Sequence, residues 1–359
     1  MIRLSDKSDS EIAEMKLLWK EYFGDSDEFI DFYFEKICAR NKIVIMREDG
    51  ILTGMLHLNP YIFSADRKEI IRTYYVVGVM VREGYRNQGR MKKMFDYAYS
   101  VLSSERIKFI YLWPANEAYY GGVGFSTVTQ MVDITFKRED LELLRDEMVT
   151  AKCDMEFGKL IRNLIMPEYS AENISSMVSE MCSEGGSFSC LEKMGTIQGC
   201  YSIIRNGDTL EVDHIVPYFG LREYTGRLFD SIEEALVRYD DLETEIRKEI
   251  DTENAGSDGC TDNASADSEA DDHPDNALAD SEVYNHTETV SADNDADDHT
   301  ETEDDRSIKY IKITMDYRIM QCYKHTLDMN QVSLSRKYMV AALEELPFDP
   351  GNLLFSEIV

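Results

Sequence analysis

Hydrophobic and polar positions along the first 137 residues switch between the period of a strand and the period of a helix. Residues 1–4 read as a short strand. Ile12, Met15, Trp19 and Tyr22 share one helical face, and Ser8 with Glu11 has the spacing of a capping box at its start. Asp25 or Ser26 caps a second helix bearing Phe29, Ile30, Phe32, Tyr33 and Ile37. Residues 43–46 and 51–58 form a hairpin around the Asp49-Gly50 turn, and Asn59-Pro60 and residues 65–68 read as further turns. Residues 76–81 are a near-continuous apolar run, as expected of a strand buried on both faces. After a polar turn over residues 82–88, Met91, Met94, Phe95, Ala98, Val101 and Leu102 mark the buried face of a helix that starts at Gly89 or Arg90. A strand at 108–113 follows, and residues 128–136 alternate in a way that closes the sheet.

The second half repeats this grammar. Residues 138–184 read as helical and connecting, through Leu141, Leu144 and Met148, then Phe157, Leu160, Ile161 and Leu164, then residues 174–181. Residues 199–205 and 210–216 flank Asn206-Gly207-Asp208 as a second hairpin. A helix over 225–237 buries Leu228, Phe229, Ile232 and Leu236. Strands are expected at 308–314 and 317–323, and a helix at 336–344.

Charge changes the picture in one place. The formal net charge is −31, but residues 251–305 hold 20 Asp and Glu with no Lys or Arg, which leaves −11 for the rest. The tract 251–306 is almost bare of large apolar groups, so it cannot offset its ordering entropy and reads as an acidic disordered insertion. Asp293, Asp295 and Asp297 have calcium-loop spacing, but Asp298 stands where such a loop needs glycine, so the tract is taken as a solvated spacer without metal. The acidic balance argues against a nucleic-acid partner. No run of about 18 apolar residues signals a membrane span, and no signal-peptide pattern opens the chain. The cysteines, at 38, 153, 182, 190, 200, 260 and 322, are odd in number and form no Cys-x-x-Cys pair. Reduced thiols in a cytoplasmic protein are therefore expected.

The strand, turn and helix around residues 76–102 have the makings of an anion site. First-turn amides lack internal partners and the helix dipole favours negative charge there. Gly89 allows close backbone approach, and Arg86, Arg90, Lys92 and Lys93 crowd positive charge around the turn. These residues resemble the GNAT (GCN5-related) N-acetyltransferases, whose signature Arg/Gln-x-x-Gly-x-Gly/Ala is met here by Arg86, Gly89 and Met91. Met91 departs from the small residue of the signature. The resemblance extends to the order of elements and to Asn116, Tyr120 and the Gly124-Phe125 pair after the next strand.

That resemblance implies a mixed central sheet flanked by helices, an α/β (α+β) class, with acetyl-CoA as acyl donor. Its pantetheine arm would enter between the fourth and fifth strands and pair with the backbone of Val79, Met80 and Val81. The pyrophosphate would meet Arg86, Asn87, Gln88, Gly89, Arg90 and Met91, and Asn116 would also contact the cofactor. Tyr120 would protonate the departing CoA thiolate. The base stays open among Glu117, His57 and the Val359 carboxylate, the last because the chain also resembles tandem bacterial proteins of the enhanced intracellular survival type. Those relatives imply a second, degenerate GNAT-like domain, expected over 138–250 with 307–359, after a first domain at 1–137.

The expected function is transfer of an acetyl group to a primary amine by direct attack in a ternary complex, since no cysteine stands in a nucleophile constellation. The acceptor is a small molecule or a peptide amine. The alternatives are acetylation of a protein N-terminus or lysine, and a non-catalytic CoA-binding or interaction protein.

Overall fold

The computed structural model describes residues 1–65, 69–150, 164–168, 171–183, 185–193, 196–217, 221–257, 307–321, 329–353 and 355. The helical expectation at Phe157, Leu160 and Ile161, the acidic tract beyond Ser257 and Val359 lie outside them. The chain forms two compact units, Met1–Val237 with Ile308–Val359, and Arg238–Ser307. The second is helical as far as it is described, with Thr244 Oγ1 donating to Asp240 O at 2.9 Å.

In the first unit, β1 (Ile2–Leu4) pairs antiparallel with β2 (Lys42–Glu48), and α1 (Asp9–Phe23) and α2 (Asp27–Phe32) lie between them in the chain. Ser26 caps α2 by accepting from Phe29 N at 3.1 Å, as expected. The capping box at Ser8 does not form. Glu11 instead turns to β1, accepting from Ser5 Oγ at 2.7 Å and Asp6 N at 3.2 Å and pairing with Arg3. A buried carboxylate takes its strongest donors, and here those come from another element.

Asp49 and Gly50, both at positive φ, make the tight turn from β2 into β3 (Ile51–Ala65). Asn59-Pro60 is no turn. Pro60 pairs with Tyr74 of β4 (Glu69–Val81) and sits between the end of the β2 pairing at Leu58 and the start of the pairing with β7 (Ile165–Glu168) at Ile62. That gap is where a strand tolerates a missing N–H. β4 runs parallel to β5 (Phe109–Leu112), joined by α3 (Arg90–Ser104).

The sheet then departs from expectation. β6 (Ser126–Lys137) does not lie beside β5. Between them runs β12 (Val332–Ala342), antiparallel to both. The sequence there favours a helix by propensity, Ala341-Ala-Leu-Glu-Glu345 above all. Tyr338, Met339, Val340 and Ala341 are nevertheless buried in succession, the pattern of a strand covered on both faces. Beyond β6 lie β11 (Tyr310–Asp316), β10 (Thr209–Pro217), β9 (Thr196–Asn206) and β8 (Ser187–Lys193). The strand expected at 317–323 is a helix, Tyr317–Gln321, because Asp316 Oδ1 accepts from Arg318 N at 2.8 Å and ends β11 in a cap. The helix Leu221–Ser257 buries Leu228, Phe229, Ile232 and Leu236, as the pattern required.

One face of the first half of the sheet packs under α3, through Met94, Phe95, Ala98 and Leu102 against Leu56, Val76, Ile110 and Leu112. The other face is covered by α1 and α2 through Met15, Leu18, Trp19, Ile30 and Tyr33. Further along, an aromatic cluster of Phe63, Tyr75, Phe109, Tyr111 and Tyr338 receives Leu353 and Phe355 from the chain's last described segment. Arg318 holds that segment, donating to Leu353 O at 2.7 Å and to Gly351 O. Among the described residues no helix is long and apolar enough to cross a membrane.

Candidate active site

β4 and β5 separate. Only Tyr74↔Ile110 and Tyr75↔Tyr111 are in register, although β4 continues to Val81. The separation coincides with a bulge. Met55 pairs with Met80 and His57 with Val77, so Gly78 and Val79 together oppose Leu56. Gly78 has φ +60, and a Cβ there would lie 2.8 Å from Trp19 Cζ3 and 3.3 Å from His57 Cδ2. Only glycine fits that conformation with those rings beneath it. The β5 side of residues 76–81 is left without a paired strand, which is what an extended ligand needs for strand-like pairing. Part of this edge is occupied, since Val81 O accepts from Arg86 Nε at 3.0 Å.

The turn after β4 ends at Gly89, which caps α3 in the left-handed region with open space around it. Arg90, Met91 and Lys92 supply the first-turn amides, and Asn87 at φ +58 tightens the approach. The positive charge is arranged differently from the sequence expectation. Arg90 is committed inward, bidentate to Glu48 at 2.6 Å with further bonds to Tyr85 O and Gln88 Oε1. Lys92 pairs with Asp96 one turn along. Lys93 is exposed on α3, and Arg86 is exposed at the turn. Its guanidinium lies 4.9 Å over the Tyr22 ring, and its Nε is spent on Val81 O, which fixes the plane and leaves the Nη groups as donors. Tyr22 also accepts from Glu83 N at 2.7 Å, so α1 braces the turn from outside.

Past β5, Asn116 Oδ1 accepts from Ala118 N at 2.9 Å and opens a short 3₁₀ turn, Glu117–Tyr119. The carbonyl of Asn116 is thus structural, and its Nδ2 is the atom left for a ligand. Tyr119 faces solvent, whereas Tyr120 turns in and packs edge-on against Phe95 of α3 at 6.3 Å and Phe125 at 5.9 Å. Burial pushes its phenol up to about 12, so it stays protonated at any working pH. That suits a proton donor.

The base candidates fare less well. His57 is fully buried, with Nδ1 3.0 Å from the Tyr33 hydroxyl, and desolvation lowers its pKa to about 3. It is a neutral core residue. Glu117 is held below the ordinary carboxylate range by Lys337 Nζ at 2.6 Å and by the Thr127 hydroxyl. A carboxylate so stabilised is a poor proton acceptor.

The sequence and the fold both have known counterparts. The model of the acetyltransferase (GNAT) domain matches residues 3–128. Residues 3–128 are a GNAT acetyltransferase domain. No curated protein matches the sequence. Among solved structures, a conserved protein from Enterococcus faecalis V583 is similar over 96% of this chain and 73% of its own (TM-score 0.56, 11% identity). A GCN5-related N-acetyltransferase from Kribbella flavida covers 96% and 72% (TM-score 0.55, 12% identity). Eis1 from Mycobacterium abscessus covers 96% and 74% (TM-score 0.50, 9% identity). At these identities the likeness is one of fold, and it extends well past the GNAT domain itself.

Two groups near the Tyr120 turn escape a reading of the sequence, Lys337 on Glu117 and Arg336 on Trp113. Glu117 and Lys337 stand 220 positions apart, so no local pattern could pair them.

Proposed function

We propose that the chain is a cytoplasmic acetyl-CoA-dependent N-acetyltransferase that moves an acetyl group to a primary amine by direct attack in a ternary complex. The reading is carried by one conjunction. β4 and β5 separate, β4 leads to the helix terminus capped by Gly89, and β5 leads to a protonated, half-buried phenol at Tyr120. Phe95, about 7.5 Å along α3 from Arg90 at 1.5 Å per residue, ties the two together.

In this reading Arg86 and the amides of residues 89–92 take the pyrophosphate, and the edge of Val79, Met80 and Val81 that has no paired strand takes the pantetheine arm. Asn87, Gln88 and Met91 shape the turn, Arg90 holds it through Glu48, and Asn116 Nδ2 meets the cofactor. The amide of Val79 in the bulge polarises the acyl carbonyl. The free-base amine attacks the carbonyl carbon, the C–S bond breaks, and the thiolate takes its proton from Tyr120. The proton shed by the amine passes to solvent. The second GNAT-like domain, residues 138–250 with 307–359, is proposed to shape the acceptor side.

Thermal unfolding with and without acetyl-CoA, CoA and desulfo-CoA tests the donor. Ligand at about 100 times its dissociation constant adds about 2.7 kcal/mol to the folded state, which shows as a clear rise in Tm. No shift at millimolar acetyl-CoA in a folded sample would overturn the cofactor assignment. A shift with acetyl-CoA, followed by thiol release on adding amines from a panel, distinguishes an enzyme from a CoA-binding protein.

A further inference from the structure

Within the Tyr120 turn, Tyr120 N donates to Glu117 O at 3.1 Å and Phe125 N to Tyr120 O at 3.2 Å. Tyr99 of α3 donates to Val123 O, and Tyr120 packs on Phe95; two further ties come from β12 and β6. Lys337 Nζ lies 2.6 Å from Glu117 Oε1, the first residue of the turn, and Thr127 of β6 donates to Glu117 Oε2. One residue earlier, Arg336 places its guanidinium 4.8 Å over the ring of Trp113, the residue at which the chain leaves β5. Arg336 is itself nine-tenths buried and bidentate to Asp213 of β10, at 2.6 and 2.7 Å. The pairing of β12 with β6 shifts register between Leu334 and Lys337, so a bulge sits where these two side chains leave the strand. Bulges re-aim side chains, and successive strand residues point to opposite faces. Arg336 and Lys337 therefore hold the two ends of the segment from Trp113 to Glu117, three residues before Tyr120.

We propose that Lys337, acting through Glu117, is a positioning residue for acyl transfer, and that with Arg336 it makes the orientation of Tyr120 depend on the C-terminal strand and on β10. The proposal rests on the reading of Tyr120 as the proton donor. Lys337 touches no reacting atom. Its role is to stop the 3₁₀ turn from shifting the phenol away from the sulfur, a displacement to which proton transfer is highly sensitive. Glu117 is depleted as a base by the same contact, which is the expected character of a structural anchor. Held between Lys337 and Thr127, its carboxylate has donors on both oxygens.

The test uses the full chain with Lys337→Met, Glu117→Gln and the exchanged pair Lys337→Glu with Glu117→Lys. Amide hydrogen exchange followed by mass spectrometry is read on peptides covering residues 113–121, with CoA present as the probe. Both single variants should raise exchange in that peptide about tenfold while α3 and β5 are unchanged, since a loosened turn opens locally and not globally. With acetyl-CoA and the fastest amine of the panel, kcat should fall about ten- to a hundredfold, with the CoA dissociation constant unaltered. The exchanged pair should recover most of both losses. Unchanged exchange at 113–121 in both single variants overturns the proposal, and so does faster exchange with wild-type kcat. Tyr120→Phe is run alongside. If it is as fast as wild type, the proton-donor reading fails and the positioning role fails with it. If it is slow while Lys337→Met is fast, only the positioning role is lost.

Discussion

Tyr120→Phe should lower kcat by about 10²- to 10⁴-fold, the usual range for a positioned general acid, and leave the CoA dissociation constant where it was. The ring stays, so the packing on Phe95 and Phe125 is retained and only the hydroxyl is lost. The raised pKa of this phenol is no obstacle to its donating a proton. A thiolate leaving into the same apolar surroundings is disfavoured as an anion for the same reason, so its own pKa rises in step. The size of the loss should therefore depend on the leaving group. An acyl donor whose thiol is more acidic needs less help, and the variant should lag wild type by less with such a donor. An equal lag with both donors would point to a shape effect in place of proton transfer. A fall in kcat and kcat/KM together is the signature of an interaction made only in the transition state.

Phe355→Ala should cost about 3–5 kcal/mol of stability, the range for removing a buried aromatic ring. Phe355 is fully buried, stacked on Tyr338 of β12 at 4.6 Å and against Tyr111 of β5 at 4.9 Å, and it meets Phe63 of β3 edge-on. Those contacts join the last described segment to three strands of the sheet. The measurement is urea unfolding followed by far-ultraviolet circular dichroism, where the midpoint should drop with the slope unchanged. Phe355→Leu should recover a good part of the loss, since it refills most of the volume. A midpoint within experimental error of wild type would show that the segment does not dock as described.

The parts of the fold legible in the sequence are those whose period matches their environment. Met94, Phe95, Ala98 and Leu102 announce α3 because one face is buried and the other wet. Gly89 announces its start because a left-handed cap leaves few alternatives. β12 was hidden because burial on both faces erases alternation, and because the helical propensity of Ala341-Ala-Leu-Glu-Glu345 follows directly on Met339 and Val340, which have strand partners on both sides. The charge around the turn was legible in composition and not in geometry. Arg86 and Arg90 look alike in the sequence, yet Glu48, 42 positions from Arg90, draws that side chain inward and leaves Arg86 exposed at the turn. His57 looked like a base only while its burial beside Tyr33 and Trp19 was unknown.

The place of β12 between β5 and β6 also bears on how the protein is made. During synthesis, β1 to β6 leave the ribosome nearly 200 positions ahead of Val332. Until β12 emerges, β5 and β6 each present a bare edge, and such edges invite pairing with the wrong partner. The contact that closes the sheet is also among the most distant in sequence, which slows closure. A nascent chain therefore carries all of residues 3–128 well before its sheet is complete, and its most aggregation-prone interval is the time taken to translate the second half.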